Sequence, residues 1–142
     1  SRVHFVNGET IEPDLIIYAT GYEQVFPFLR QEIFPWDPDH PDLYLNIFSR
    51  QYENLIFAGF VEADGAAFPL ISLQAELIGA YLTQRTHDPD RWQKFRNQCK
   101  NDRPDLSGGI KHLATARHAY YTQSHLYAKV LEKAFRRLNA ES

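Results

Sequence analysis

The 142-residue sequence contains no methionine and a single cysteine, Cys99. One thiol cannot close an intrachain disulfide or build a cysteine-based metal site, and such a chain is compatible with a reducing, cytoplasmic location. Long apolar runs are missing too. No stretch reaches the roughly 20 residues that a membrane-crossing helix needs, and the opening "SRVHFVNGET" does not have the form of a signal peptide. The formal net charge is only -3, without the basic stripe expected of a nucleic-acid surface. The late basic run "KAFRR" fits one helix face instead. The seven glycines, at 8, 21, 59, 65, 79, 108 and 109, include no Gly-x-Gly-x-x-Gly, the spacing that cradles a dinucleotide pyrophosphate. With no initial methionine and a start that reads as mid-strand, the chain is expected to be a piece of a larger protein.

Apolar residues make up 44% of the sequence, enough for a real core, and aromatics at 14% supply large flat contact surfaces. "RVHFVNGETI" reads as a hairpin, with Asn7-Gly8 as a type I′ turn. "DLIIYA" is a continuous apolar run that suits a strand buried on both faces. Pro35, Pro38 and Pro41 exclude helix and central strand from their stretch, whose carboxylates Asp37, Asp39 and Asp42 are read as solvated. Leu43–Phe48 and Asn54–Phe60 read as strands, and Pro69–Thr83 as a helix. Asp88-Pro89 opens another helix with Asp88 as its cap, its apolar face being Trp92, Phe95 and Cys99. "NDRPDLSGG" is a loop. From about Ala119 to Leu138 the spacing predicts a long amphipathic helix burying Tyr120, Tyr127, Leu131, Ala134, Phe135 and Leu138. The fold class is α/β, or α+β for this stretch alone, with strands first and helices dominating after Pro69.

The stretch "NLIFAGFVEADGAAFPLISLQAELIGAYL" concentrates the chemistry. A strand ends at Gly59, and a small-residue loop (Gly65, Ala66, Ala67) follows. If Pro69 is the first helical residue, Phe68 is its cap position and offers no acceptor. The amides of Leu70, Ile71 and Ser72 are then bare, which makes an anion or carbonyl site unless water or a distant group caps them. Gln74 falls inside the apolar arc of Leu70, Leu73, Leu77, Ile78 and Tyr81. A buried amide without partners costs roughly 1–3 kcal/mol, so it must meet either a backbone carbonyl of a neighbouring strand or a heteroatom-rich ring. The histidines (4, 40, 87, 112, 118, 125) show no helical metal spacing, and His118 is read as an interface histidine. Ser72 and Ser124 lack any nucleophile context.

"DLIIYATGY" followed by "NLIFAGFVEADGAAFPLISLQAE" resembles the C-terminal portion of the flavin-containing monooxygenases, two-domain Rossmann-like enzymes that use FAD and NADPH. The resemblance covers about residues 1–29 and 54–84, and "RPDLSGGIKHLATARHAYY" is similar to some bacterial tails. It implies that residues 1–22 end an NADPH-binding domain and its linker, that 23–84 close the FAD domain, and that 85–142 are a helical extension. It implies cofactor contacts at Ala19, Thr20, Gly21, Gly59, Phe60, Ala66, Ala67, Phe68, Leu70 and Gln74, with no catalytic or metal residue here. The fingerprints for both cofactors would lie upstream. In the family an oxygenated flavin, the C4a-hydroperoxide, passes one oxygen atom to a soft nitrogen or sulfur of a small-molecule substrate. This stretch alone is then expected to be inactive. Rival readings are another two-domain flavoprotein, such as a pyridine-nucleotide reductase, and a non-catalytic module that self-associates through exposed surfaces or its C-terminal helix.

Overall fold

A computed structural model describes residues 2–19, 26–30, 32, 37, 42–111 and 120–139. The chain forms two compact units, Ser1–Arg30 and Gln31–Ser142. The described residues hold three helices and three two-stranded pairings, a mixed α/β composition.

The first unit is a hairpin of β1 (Val3–His4) and β2 (Thr10–Ile11), with Val3 opposite Ile11 and His4 opposite Thr10. Its turn differs from the expected type I′. Gly8 alone is left-handed (φ 91°), while Asn7 is not. The Gly8 amide closes on the Phe5 carbonyl at 2.9 Å, and Phe5 N–H donates to Glu9 O at 2.9 Å. That is a three-residue loop with glycine at the bulge position. Asn7 keeps ordinary φ because its Oδ1 accepts the Glu9 amide at 3.1 Å, a local bond that asparagine makes in turns.

The expected strand at "DLIIYA" is not formed among the described residues. Residues 14–19 form no strand pairing among the described residues, and Leu15 and Ile17 are 75% and 79% exposed. An apolar run marks what a sheet would bury, but a strand exists only where another strand pairs with it.

The second unit is built on helix packing. α1 (Ala67–His87), α2 (Pro89–Asn101) and α3 (Ser124–Asn139) enclose one core. The arc expected for α1 is the buried one, with Leu70, Gln74, Leu77, Ala80 and Tyr81 inside. Trp92, Phe95 and Cys99 of α2 face them, and α3 contributes Tyr127, Leu131, Ala134 and Leu138. The expected boundary at 84/85 falls inside α1. A single residue joins α1 to α2: Asp88 donates its amide to Gln84 O at 3.0 Å, and its Oδ1 caps α2 by accepting Arg91 N–H at 3.0 Å. α3 begins later than its apolar spacing suggests. Tyr120 lies in a turn ahead of it, and Ala119 is outside the described residues.

Leu43–Phe48 is not one strand but a tight reversal. β3 (Leu43–Tyr44) pairs antiparallel with β4 (Phe48–Ser49). Between them Leu45 (φ 54°) and Asn46 (φ 56°) are left-handed. For a leucine this costs roughly 1–2 kcal/mol, which is offset by burying its side chain, worth about 1.5–3 kcal/mol; Leu45 is almost fully buried. Asn46 Nδ2 is anchored on the Tyr120 carbonyl at 2.8 Å. The expected strand 54–60 reduces to a bridge of Ile56 to Phe48, because the chain turns left-handed at Gly59 (φ 77°).

One strand pairing ties the segment before α1 to the segment before α3. β5 (Glu62–Ala63) lies parallel to β6 (Tyr121–Thr122), with Glu62 opposite Tyr121 and Ala63 opposite Thr122. Immediately beyond, Asp64 Oδ1 accepts both the Ser124 amide (2.8 Å) and its hydroxyl (2.5 Å). α3 is therefore capped by a residue 60 positions earlier.

Candidate cofactor site

The site expected from sequence gathers around the loop from Gly59 to the start of α1. The helix begins two residues before Pro69, with Ala66 in the cap position, no side-chain cap and no acidic residue in its first turn. Pro69 is thus the third helical residue, tolerated because its missing N–H would have lacked a helical acceptor anyway. This corrects the donor set. Leu70, Ile71 and Ser72 lie beyond the orphan positions, and the amides at the open edge are those of Ala67 and Phe68. Ala66 and Phe68 are exposed, Phe68 at 84%. Leu70 instead points into the core.

Gln74 is fully buried, at 0% exposure. Its Oε1 accepts the Gly59 amide at 2.9 Å, and its Nε2 donates to Tyr127 Oη at 2.8 Å. The strand carbonyl expected from sequence is not its partner: a backbone amide and a phenol hydroxyl take the two ends of the carboxamide. Tyr127 in turn donates to the Leu45 carbonyl at 2.6 Å. Burial raises the Tyr127 pKa, so the phenol stays protonated and remains a donor. Phe60 is buried next to the Gly59 turn, its ring 4.5 Å from Tyr120 and 6.0 Å from Phe57. The structure therefore joins Gly59 to Gln74 directly and leaves Ala66, Ala67 and Phe68 at an open helix start. Ala19, in the first unit, is exposed. Thr20, Gly21 and His118 lie outside the described residues.

Sequence reasoning did not find Tyr127, Asp64 or Ser124 as partners of this loop. Tyr127 reads as one apolar-face residue among several, and it meets Gln74 across 53 positions. No local pattern encodes such a contact. Cys99 is buried, and burial pushes its thiol up to about 12, so it is inert. Among the described residues no group of His, Cys, Asp or Glu is placed to hold a metal ion. No helix among them is long and apolar enough to cross a membrane.

Asp64 gives the loop a pH dependence. The hydroxyl and amide of Ser124 hold its carboxyl below the ordinary value of 3.8. A depressed folded pKa means stability that is present above the unfolded value and lost as pH falls through the folded one. Asp64→Asn is therefore expected to lower the unfolding midpoint at pH 7, and that deficit should vanish in acid below the folded pKa. A deficit of the same size at both pH values would show that Asp64 acts without its charge.

The chain matches the family described as flavin-binding monooxygenase-like over residues 2–131. It is 35% identical over 99 residues to N-oxide-forming dimethylaniline monooxygenase 2 of Macaca mulatta, covering 67% of this chain and 18% of the relative. It is 39% identical over 74 residues to flavin-containing monooxygenase 3 of Rattus norvegicus, covering 50% and 14%. A 4-hydroxybenzoate brominase (decarboxylating) of Marinomonas mediterranea is 37% identical over 85 residues, covering 59% and 15%. The chain thus spans less than a fifth of the length of these relatives. No solved structure matches it.

Proposed function

This chain belongs to the flavin-binding monooxygenase-like family, and we propose that it is the C-terminal part of an FAD- and NADPH-dependent monooxygenase. The proposed enzyme joins two dinucleotide-binding domains and transfers one oxygen atom to a nucleophilic nitrogen or sulfur of a small molecule. The observation that carries the reading is the family match over residues 2–131, combined with an uncapped helix start beside small residues.

The residues present fit a flat, electron-rich ring. A start without side-chain cap or first-turn carboxylate leaves the Ala67 and Phe68 amides free to meet a negatively polarised edge. Asp64, the nearest carboxylate in sequence, is turned to Ser124. FAD, when bound, supplies the redox and oxygen-transfer chemistry. The chain's own work is to shape and exclude water. Ala66 and Ala67 allow close backbone approach, Phe68 offers an apolar face, and Gly59 presents exposed backbone. Phe60 and Leu70 support these from the core, and Gln74 holds the Gly59 turn from behind. Ala19, Thr20 and Gly21 would meet the cofactors where the chain passes between domains.

The pyrophosphate cradles lie outside this sequence, so the isolated 142 residues are expected to oxidise no NADPH with or without added FAD. NADPH consumption by the pure chain, followed at 340 nm, would overturn the proposed division of labour.

A further inference from the structure

Gly59, Gln74, Tyr127 and Leu45 form one run of hydrogen bonds with a single possible polarity. The Gly59 amide can only donate, and it donates to Gln74 Oε1 at 2.9 Å. The Leu45 carbonyl can only accept, and it accepts from Tyr127 at 2.6 Å. With its proton committed to Leu45, the Tyr127 oxygen is left to accept, and Gln74 Nε2 donates to it at 2.8 Å. A flipped carboxamide would set N–H against N–H at Gly59 and oxygen against oxygen at Tyr127. The two obligate ends therefore fix the orientation of the buried amide between them.

What this run restrains is the Gly59 turn. Phe57 still bonds the meander through Ile47 O at 2.8 Å. Pairing with β6 resumes only at Glu62. Between these, Gly59 sits left-handed (φ 77°) and exposed, its carbonyl accepting Val61 N–H at 3.0 Å. Its amide is gripped by a side chain that is itself oriented from α3. We infer that Tyr127 is a positioning residue: acting through Gln74, it holds the Gly59 backbone in the conformation that meets FAD. The inference rests on the function proposed above for what the turn faces, and on this chain alone for how the turn is held.

Tyr127→Phe removes one oxygen and keeps the ring. In the 142-residue chain, amide hydrogen exchange read by NMR is expected to accelerate at Gly59 at least about tenfold more than at Leu77 and Leu131. In the flavoprotein proposed to contain the chain, FAD should dissociate about tenfold faster from the variant, in line with loss of one restraining bond. Equal acceleration at Gly59, Leu77 and Leu131 would reduce Tyr127 to packing and overturn the inference. So would a loosened Gly59 with unchanged FAD release. If the variant does not fold, the unmutated chain decides: slow exchange at Gly59 supports the restraint, and exchange at the rate of an open loop contradicts it. Failure of the unmutated flavoprotein to hold FAD would refute the proposed function instead, and the Gly59 comparison, which needs no flavin, keeps the two failures apart.

Discussion

Gln74→Leu is expected to lower flavin retention about tenfold while changing the stability of the chain by only about 1 kcal/mol. The two effects separate because they have different origins. Leucine fills the same arc of α1 and gains apolar burial worth about 1.5–3 kcal/mol. Against that, the bonds of Gln74 to the Gly59 amide and to the Tyr127 oxygen are lost, each worth roughly 0.5–1.5 kcal/mol net, while Tyr127 keeps its bond to Leu45. The terms nearly cancel in folding. They do not cancel at the turn, because leucine offers Gly59 nothing to hold. Equilibrium dialysis of the flavoprotein, with urea unfolding of the chain alongside, measures both. A parallel readout is peroxide released per NADPH consumed, which should rise as the site loosens and admits water. Unchanged flavin content and coupling would mean that the turn does not serve the cofactor.

Arg96 carries the largest expected stability effect. It is a buried arginine on α2 that faces no carboxylate among the described residues. Its Nη1 donates to the Ser49 carbonyl at 2.6 Å and its Nη2 to the Arg50 carbonyl at 2.8 Å. Arg50 reciprocates toward α2 by donating to the Cys99 carbonyl, and it pairs with Asp42 at 3.0 Å. The two arginines thus terminate the end of β4 where no strand continues the ladder. Arg96→Met leaves two buried carbonyls bare at roughly 1–3 kcal/mol each, while relieving the cost of burying a cation. The expected net loss is about 2–4 kcal/mol, measured as a lower urea midpoint. Arg96→Lys should recover only part of it, because one ammonium cannot span two carbonyls as the planar fork does. Full recovery by lysine would show that charge, rather than geometry, is what the site requires.

Much of the second unit was legible because its signals are local. The Asp88-Pro89 start of α2 and the Gln74-containing arc of α1 follow from capping chemistry and a 3.6-residue period. The departures at Leu45 and around Gln74 share one cause, which is that partners distant in sequence decide local conformation. Leu45 is left-handed because its side chain belongs in the core and its carbonyl meets Tyr127, so "LYLNIF" reverses instead of running straight. α1 starts at Ala67 rather than Pro69, since the amides of the whole first turn lack helical acceptors and a proline there removes no helical bond. Gln74 was recognisable as a buried amide in need of partners. Its actual partners, Gly59 and Tyr127, lie 15 and 53 positions away, beyond any local pattern. The run at Leu15–Tyr18 is the opposite case: its composition describes a sheet interior that the described residues do not supply.

In the proposed enzyme the Gly59 turn and the open start of α1 face FAD. Hydrogen exchange of the flavoprotein proposed to contain this chain, compared with and without FAD, tests it most directly. Exchange over residues 59–68 is expected to slow when FAD is bound, with α2 unchanged. Protection confined to other segments, with 59–68 exchanging equally in both states, would contradict it.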